Sequence, residues 1–230
     1  MTEYRVFIGY DPRQVISFQV LAHSIVRNAS RPISITPLII EQLPLKRQGL
    51  TPFTYSRFLV PHICNYTGKA LFLDADMLCK GDIVELFDLC EIGTREQAWV
   101  VKNKVQFEWA SLIMFNNACC GILSPDYIET AKGLHKMEWA ERIGELPAEW
   151  NHCIGYDDPN PAAKLVHFTQ GVPAWFETQD SEHADAWREE LDRCNFALPW
   201  RDLMARSVHA KPVLERLFRG YQEAAMKGAA

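Results

Sequence analysis

Residues 69–73, Lys-Ala-Leu-Phe-Leu, form a short and almost wholly apolar run that ends abruptly in Asp74-Ala75-Asp76. A strand covered on both faces has no use for polar alternation, so this run describes a central strand that carries a polar site at its carboxyl end. Upstream, Tyr4 to Gly9 reads as another buried strand. Asp11 and Pro12 follow it as N-cap and first-turn proline of a helix burying Val15, Phe18, Leu21 and Ile25. Ile33 to Ile40 is β-branched enough for a strand, and Thr51-Pro52 opens a helix through Phe53, Phe58, Leu59 and Ile63. Downstream lie a short helix near Ile83 to Leu89 and apolar strands at Ala98 to Val101, Ala110 to Phe115 and Leu165 to Phe168. Ser124-Pro125 and Ser181 start further helices, the second carrying Trp187 and Leu191. The alternation predicts an α/β fold with a single central sheet, mixed but mainly parallel, flanked by helices.

With 230 residues, 48% hydrophobic and 23% charged, the chain buries one large core, and no repeat or low-complexity linker divides it. One domain over 1–230 is expected, ending in a helical tail over 201–230. There Leu214, Leu217, Phe218 and Tyr221 make an apolar stripe beside Arg216 and Arg219. Docking of that tail onto the domain is the expectation, with a weak peripheral membrane contact as the alternative. A net charge of -5 speaks against a surface for phosphate backbones, so nucleic acid is not an expected partner. The seven cysteines (64, 79, 90, 119, 120, 153 and 194) form no C-x-x-C pair, and their odd number prevents complete pairing. They read as reduced, mostly buried thiols. The first residues lack a basic segment followed by an apolar one, and no stretch approaches the ~18 apolar residues of a membrane span. The expected location is the cytoplasm.

With 12 aspartates in the chain, a D-x-D pattern arises by chance about 0.6 times, so its spacing alone decides nothing. Context decides. Asp74 and Asp76 terminate a buried strand, where ligands of open α/β sheets gather, and carboxylate oxygens suit Mg²⁺ or Mn²⁺. His167 ends the apolar run of Lys164 to Phe168 and precedes a loop with Gly171, Pro173 and Trp175, so it is the natural third ligand.

Several strings then fall into a familiar order: Phe7-Ile8-Gly9-Tyr10-Asp11, FTYSRFLVP (53–61), KALFLDADML (69–78) followed by GDI, LPAEWN (146–151) and HFTQGVPAW (167–175). Together they resemble glycosyltransferase family 8 and its bacterial relatives over about residues 4–176. The resemblance implies a GT-A fold with a Rossmann-like nucleotide-binding half, about 1–105, and an acceptor half, about 106–200. It implies transfer of a hexosyl group from a UDP-sugar to a glycan or other hydroxyl acceptor, with retention at the anomeric carbon. Asp74, Asp76 and His167 would hold Mn²⁺ or Mg²⁺. Asp74, Asp76 and Arg57 would be catalytic, and Tyr10, Asp11, Tyr55, Arg57, Ala75 and Gly171 would line the nucleotide. Trp109, Asn116, Trp150, Asn151 and Trp175 would face sugar or acceptor.

Three departures accompany the likeness. Trp109-Ala110-Ser111 stands where the family commonly has Asn-Ser-Gly, no Asp-Gln dipeptide occurs, and Pro173-Ala174 replaces the Lys-Pro that brings a lysine to the phosphates. They motivate one alternative, an inactive sugar-nucleotide-binding module. A second alternative is a D-x-D phosphohydrolase, with Asp157-Asp158 as its late acidic pair. Double displacement needs a carboxylate beside the anomeric carbon. Glu108, Glu149, Asp157 and Asp158 are the nearest by sequence, and each reads as solvated or capping, so same-face attack by the acceptor is expected. Trp99, Trp139, Trp187 and Trp200 read as packing residues.

Overall fold

The computed structural model describes residues 3–90 and 94–194, with 211, 212, 215, 216 and 219 in the tail. Met1–Cys194 form one compact unit and Asn195–Ala230 a second. The described positions of the second unit are helical and exposed. Leu214, Leu217, Phe218, Tyr221 and Trp200 lie outside the described residues.

The first unit begins with strand β1 (Arg5–Gly9), helix α1 (Val15–Asn28) and strand β2 (Ser34–Leu38). Two short helices, α2 (Phe53–Ser56) and α3 (Val60–Ile63), precede β3 (Lys69–Leu73). Then come β4 (Met77–Cys79), α4 (Val84–Leu89), β5 (Ala98–Val100) and β6 (Leu112–Asn116). The unit closes with α5 (Pro125–Thr130), β7 (Ile143–Glu145), β8 (His152–Cys153), β9 (Leu165–His167) and α6 (Ala184–Cys194).

Six strands form the larger sheet in the order β2-β1-β3-β6-β5-β7. β6 is antiparallel to both of its neighbours, and the other pairs are parallel. After β1 the chain steps to one side for β2 and then returns to the other side for β3. The crevice between the carboxyl ends of β1 and β3 is therefore a switch point, where such sheets bind ligands. After Lys69, whose ammonium donates to the Phe87 and Cys90 carbonyls, the strand is apolar because both faces are covered. Leu71 and Leu73 pack with Val6, Ile8, Leu21 and Phe87, while Ala70 and Phe72 pack with Phe7, Phe58, Leu59 and Phe115. Trp99, Trp139 and Trp187 are buried as expected.

The expectation of a single sheet is corrected. A second sheet, β4-β9-β8, pairs Met77 with His167 and Cys153 with His167. Strands of two or three residues carry no periodic signal, and pairing creates them, between partners up to 90 residues apart for β4 and β9 and 14 apart for β8 and β9. The start of α1 is also corrected. Its N-cap is Gln14, because the Asp11 carboxylate is engaged by the backbone N–H and guanidinium of Arg13. The helix expected through Ile63 is continuous only with a 3₁₀ turn at Arg57–Leu59, since Pro61 has no N–H to offer the α ladder. Ser124 caps α5 as expected, by accepting from the Tyr127 N–H. α6 starts at Ala184, after Ser181 has closed a turn. No described helix is long and apolar enough to cross a membrane, and all seven cysteines are free thiols.

Candidate active site

Backbone bonds pin the turn after β3 between the two sheets. The Asp74 N–H donates to the Ser111 carbonyl at 2.9 Å, one step beyond the β3–β6 ladder, and the Asp76 carbonyl accepts from the Phe168 N–H at 2.9 Å. Asp74 thus belongs to the large sheet and Asp76 to the small one. The β4–β9 register brings His167 to the same point, its Nε2 3.4 Å from Asp76 Oδ1. One donor atom from each of Asp74, Asp76 and His167 lies within 4.8 Å of the other two.

Arg57 faces the pair from the helical segment before β3. Its Nη2 lies 3.0 Å from Asp74 Oδ1 and its Nη1 donates to Asp74 Oδ2 at 3.3 Å and to the Ala110 carbonyl at 2.7 Å. Its guanidinium also lies over the Phe72 ring. Apart from those ion pairs with Arg57 and His167, Asp74 Oδ1 and Asp76 Oδ1 are buried and accept no well-aligned hydrogen bond. Buried polar atoms are rarely left so, and an arrangement of open carboxylate oxygens with an imidazole nitrogen fits a divalent cation. The imidazole favours Mn²⁺ over Mg²⁺.

Electrostatics fit that reading. Burial raises Asp74 to about 7, with Arg57 opposing and Asp76 adding to the rise. Burial opposes the charged form of His167, but Asp76 and Cys153 outweigh it and hold the ring well above the ordinary imidazole range. Without a cation, one proton each on Asp74 and His167 relieves the crowding of negative charge.

Glu108 is a correction. Sequence context made it solvated or capping, yet its side chain is only 12% exposed, and Oε2 lies 3.7 Å from His167 Nδ1. Burial is the main cause of its raised pKa, with His167 opposing. It precedes β6, whose antiparallel course returns residue 111 to the end of β3, and that register is the signal that could have found it. Glu149 is half-buried. Asp157 does cap, by accepting from the Cys153 N–H, and Asp158 is 97% exposed beside Lys104.

Arg57, Asp74, Asp76, Glu108, His135 and His167 line a cavity of about 180 Å³. His135 was not anticipated. Burial, then Arg57, lowers it to about 4, so its ring is neutral, and it stacks on Phe107 with centroids 5.0 Å apart. Leu50 and Thr51 are shared with an adjoining cleft of about 580 Å³ that Arg13, Lys46 and Arg47 also line.

The other expected residues divide by position. Tyr10 lies edge-on to Phe18 at the end of β1, and Arg47 covers the Tyr55 ring at 3.7 Å. Ala75 is buried between the two aspartates. Gly171 has φ 111°, a conformation open to glycine alone, and Trp175 beside it is exposed. Trp109 spends its indole N–H on the Asn103 carbonyl, while Asn151 donates to the Glu108 carbonyl and to Ser111 Oγ, fixing the segment that carries Glu108.

Of the expected residues only Arg57, Asp74, Asp76 and His167 line the cavity, and two of the others are held well inside the protein. Trp150 is 1% exposed and packs in the core under Lys164. Asn116 lies at the opposite end of β6, four steps or about 13 Å from the residue paired with Leu73. Its amide donates to the Glu96 carbonyl at 3.0 Å. Asn116→Ala is therefore expected to cost about 1–3 kcal/mol in urea unfolding and to leave donor KM unchanged.

Residues 10–121 match the glycosyl transferase family 8 pattern. Protein CDI of Arabidopsis thaliana is 35% identical over 232 residues, covering 84% of this chain and 87% of that protein. The chain belongs to glycosyl transferase family 8. This family 8 glycosyltransferase is also 27% identical over 176 residues to the lipopolysaccharide 1,3-galactosyltransferase of Salmonella typhimurium. That likeness covers 76% of the chain and 49% of the relative, so the chain spans about half the length of that enzyme. The apo structure of the WbbM bifunctional glycosyltransferase shares the fold, with a TM-score of 0.64 at 17% identity over 94% of this chain and 52% of that one. The architecture is GT-A-like. The span matched by the family contains Arg57, Asp74 and Asp76 and ends before His167, whose place in the site comes from strand register.

Proposed function

We propose that this glycosyltransferase moves a hexosyl group from a UDP-sugar to a glycan hydroxyl with retention, and that Asp74, Asp76 and His167 hold Mn²⁺ or Mg²⁺. The carrying observation is the convergence of two buried carboxylates, neither Oδ1 accepting a well-aligned hydrogen bond, with an imidazole at the sheet's switch point. Bound there, the cation would neutralise charge developing on the leaving diphosphate. Arg57 holds Asp74 in place and adds positive potential on the same side. His167 keeps Nε2 towards the aspartates while Nδ1 faces Glu108, the pairing that orients metal-binding histidines. Glu108, the third carboxylate lining the cavity, would serve the sugar, and the acceptor enters on the face of the leaving group. Up to about residue 105 the chain is the nucleotide-binding half, and 106–200 the acceptor half. The 1,3-galactosyltransferase relative makes UDP-galactose the first donor to try. Seven free thiols suit the cytoplasm.

A nucleotide-binding module without turnover is the second reading, favoured by the missing Asp-Gln and phosphate lysine. The phosphohydrolase reading loses its late acidic pair, since Asp157 caps a turn and Asp158 points to solvent.

Thermal unfolding with UDP, with Mn²⁺ and with both is the test. Both together, at ~100 times Kd, are expected to add about 2.7 kcal/mol, with little from UDP alone. A UDP effect that ignores the metal would overturn the metal-bridged site. Joint stabilisation without UDP release from any UDP-hexose selects the module instead.

A further inference from the structure

A second group of metal-binding side chains lies outside the glycosyl transfer site. Strand alternation separates the two: Cys153 turns towards His167, so its neighbour His152 on β8 points to the other face. His152 Nε2 lies 3.0 Å from Glu182 Oε2, and His183 Nε2 lies 3.3 Å from Glu182 Oε1. The Asn160 carbonyl oxygen is 3.0 Å from His183 Nε2. The two imidazoles are 3% and 9% exposed, whereas Glu182 is 29% exposed and leaves a path from solvent. His183 is held at φ 61°, an uncommon conformation for a residue other than glycine, so its surroundings must over-determine its place.

Two imidazole nitrogens and a carboxylate are a donor set of tetrahedral Zn²⁺ sites, and the Asn160 carbonyl stands near the fourth position. We propose that His152, Glu182 and His183 bind a Zn²⁺ ion that ties β8, the Asn160 loop and the turn before α6 to one another.

A positive charge already leans on this cluster. Lys80 Nζ lies 3.3 Å from His183 Nδ1 and donates to the Pro161 carbonyl at 3.2 Å. Burial, then Lys80, lowers the His183 pKa, which keeps the ring in the neutral form that a metal requires. With Lys80 on Nδ1, the His183 proton sits on Nε2 and is given to Asn160. Zn²⁺ takes Nε2, the proton moves to Nδ1, and the ammonium must leave Nδ1. Lys80 is thus a built-in competitor for the ion.

The test is a titration of ZnCl₂ alone into chelator-treated full-length Asp76→Ala protein, which lacks a ligand of the other site, followed by calorimetry and thermal unfolding. One Zn²⁺ per chain and a raised unfolding midpoint are expected. In that background Glu182→Gln and His152→Ala should weaken binding by at least about tenfold, and Lys80→Met should tighten it. No Zn²⁺ bound, or binding that Glu182→Gln leaves unchanged, overturns the proposal. If buried His152 proves necessary for folding, judged by circular dichroism without metal, the half-exposed Glu182 and exposed Lys80 variants decide. A Lys80→Met protein that is less stable yet unchanged in Zn²⁺ affinity means a purely structural network. Zn²⁺ still held by the Glu182→Gln protein would sit at Glu108, Cys153 and His167 of the transfer site, a group that Asp76→Ala leaves intact, and that outcome overturns this proposal without touching the glycosyl transfer reading.

Discussion

Asp76→Ala should abolish Mn²⁺-dependent UDP binding and lower UDP release from a UDP-hexose by about a thousandfold, because the lost cation supplies several kcal/mol at the transition state. Asp76 is the residue to change, since its Oδ1 is buried, accepts no well-aligned hydrogen bond and faces His167, so metal binding loses more than folding does. Asp76→Asn, which keeps the shape and removes the charge, should behave alike. Normal metal-dependent UDP binding in either variant would remove Asp76 from the ligand set.

The same site fixes how affinity changes with pH. Asp74 is raised from the ordinary 3.8 to about 7 in the folded, metal-free protein. A proton held more tightly in the native state stabilises it fully below about pH 4, and that contribution is lost as the pH rises through 7. A cation competes with this proton and with the one on His167, whose pKa is also raised. Mn²⁺ affinity should therefore climb by about a hundredfold per pH unit below 7, where both protons must leave, and by about tenfold per unit above it until His167 too is deprotonated. Calorimetry across pH 5.5–8.5, in buffers of different ionisation enthalpy, measures both the climb and the protons released.

Arg57→Met should destabilise the protein by about 3–5 kcal/mol at pH 8, the cost of leaving Asp74 as an uncompensated buried charge. The loss should shrink at pH 6, because without Arg57 the Asp74 carboxyl rises further and takes up a proton. Urea unfolding at the two pH values reads this directly. Equal losses would mean that packing of the guanidinium on Phe72 and its bond to the Ala110 carbonyl dominate over charge. Adding Asp74→Asn to Arg57→Met should recover stability at pH 8 while leaving UDP turnover absent, since the pair then lacks both the charge to neutralise and the ligand to hold metal.

The central strand and its acidic terminus were legible from 69–76 alone. An apolar run of four residues, Ala70 to Leu73, between polar ends has one stable environment, and a charged pair at its end needs partners there. The helix over 125–130 was equally readable, because Ser124-Pro125 is a local signal acting on its own backbone. Other local readings failed where a neighbour competed. Asp11 was a sound N-cap until Arg13 took its carboxylate, and Pro61 turned part of a helix into a 3₁₀ turn.

What the chain's residues determine by themselves is therefore the alternation of elements, the strand that carries Asp74 and Asp76, and the family to which its motifs point. Tertiary structure alone decided that β6 runs against β3, because an apolar strand reads the same in either direction and only its partner selects one. That choice sends Asn116 to the far end of the sheet and brings Glu108 beside His167. The short strands β4, β8 and β9 exist only as one another's partners, and their pairing places an imidazole from residue 167 against a carboxylate from residue 76.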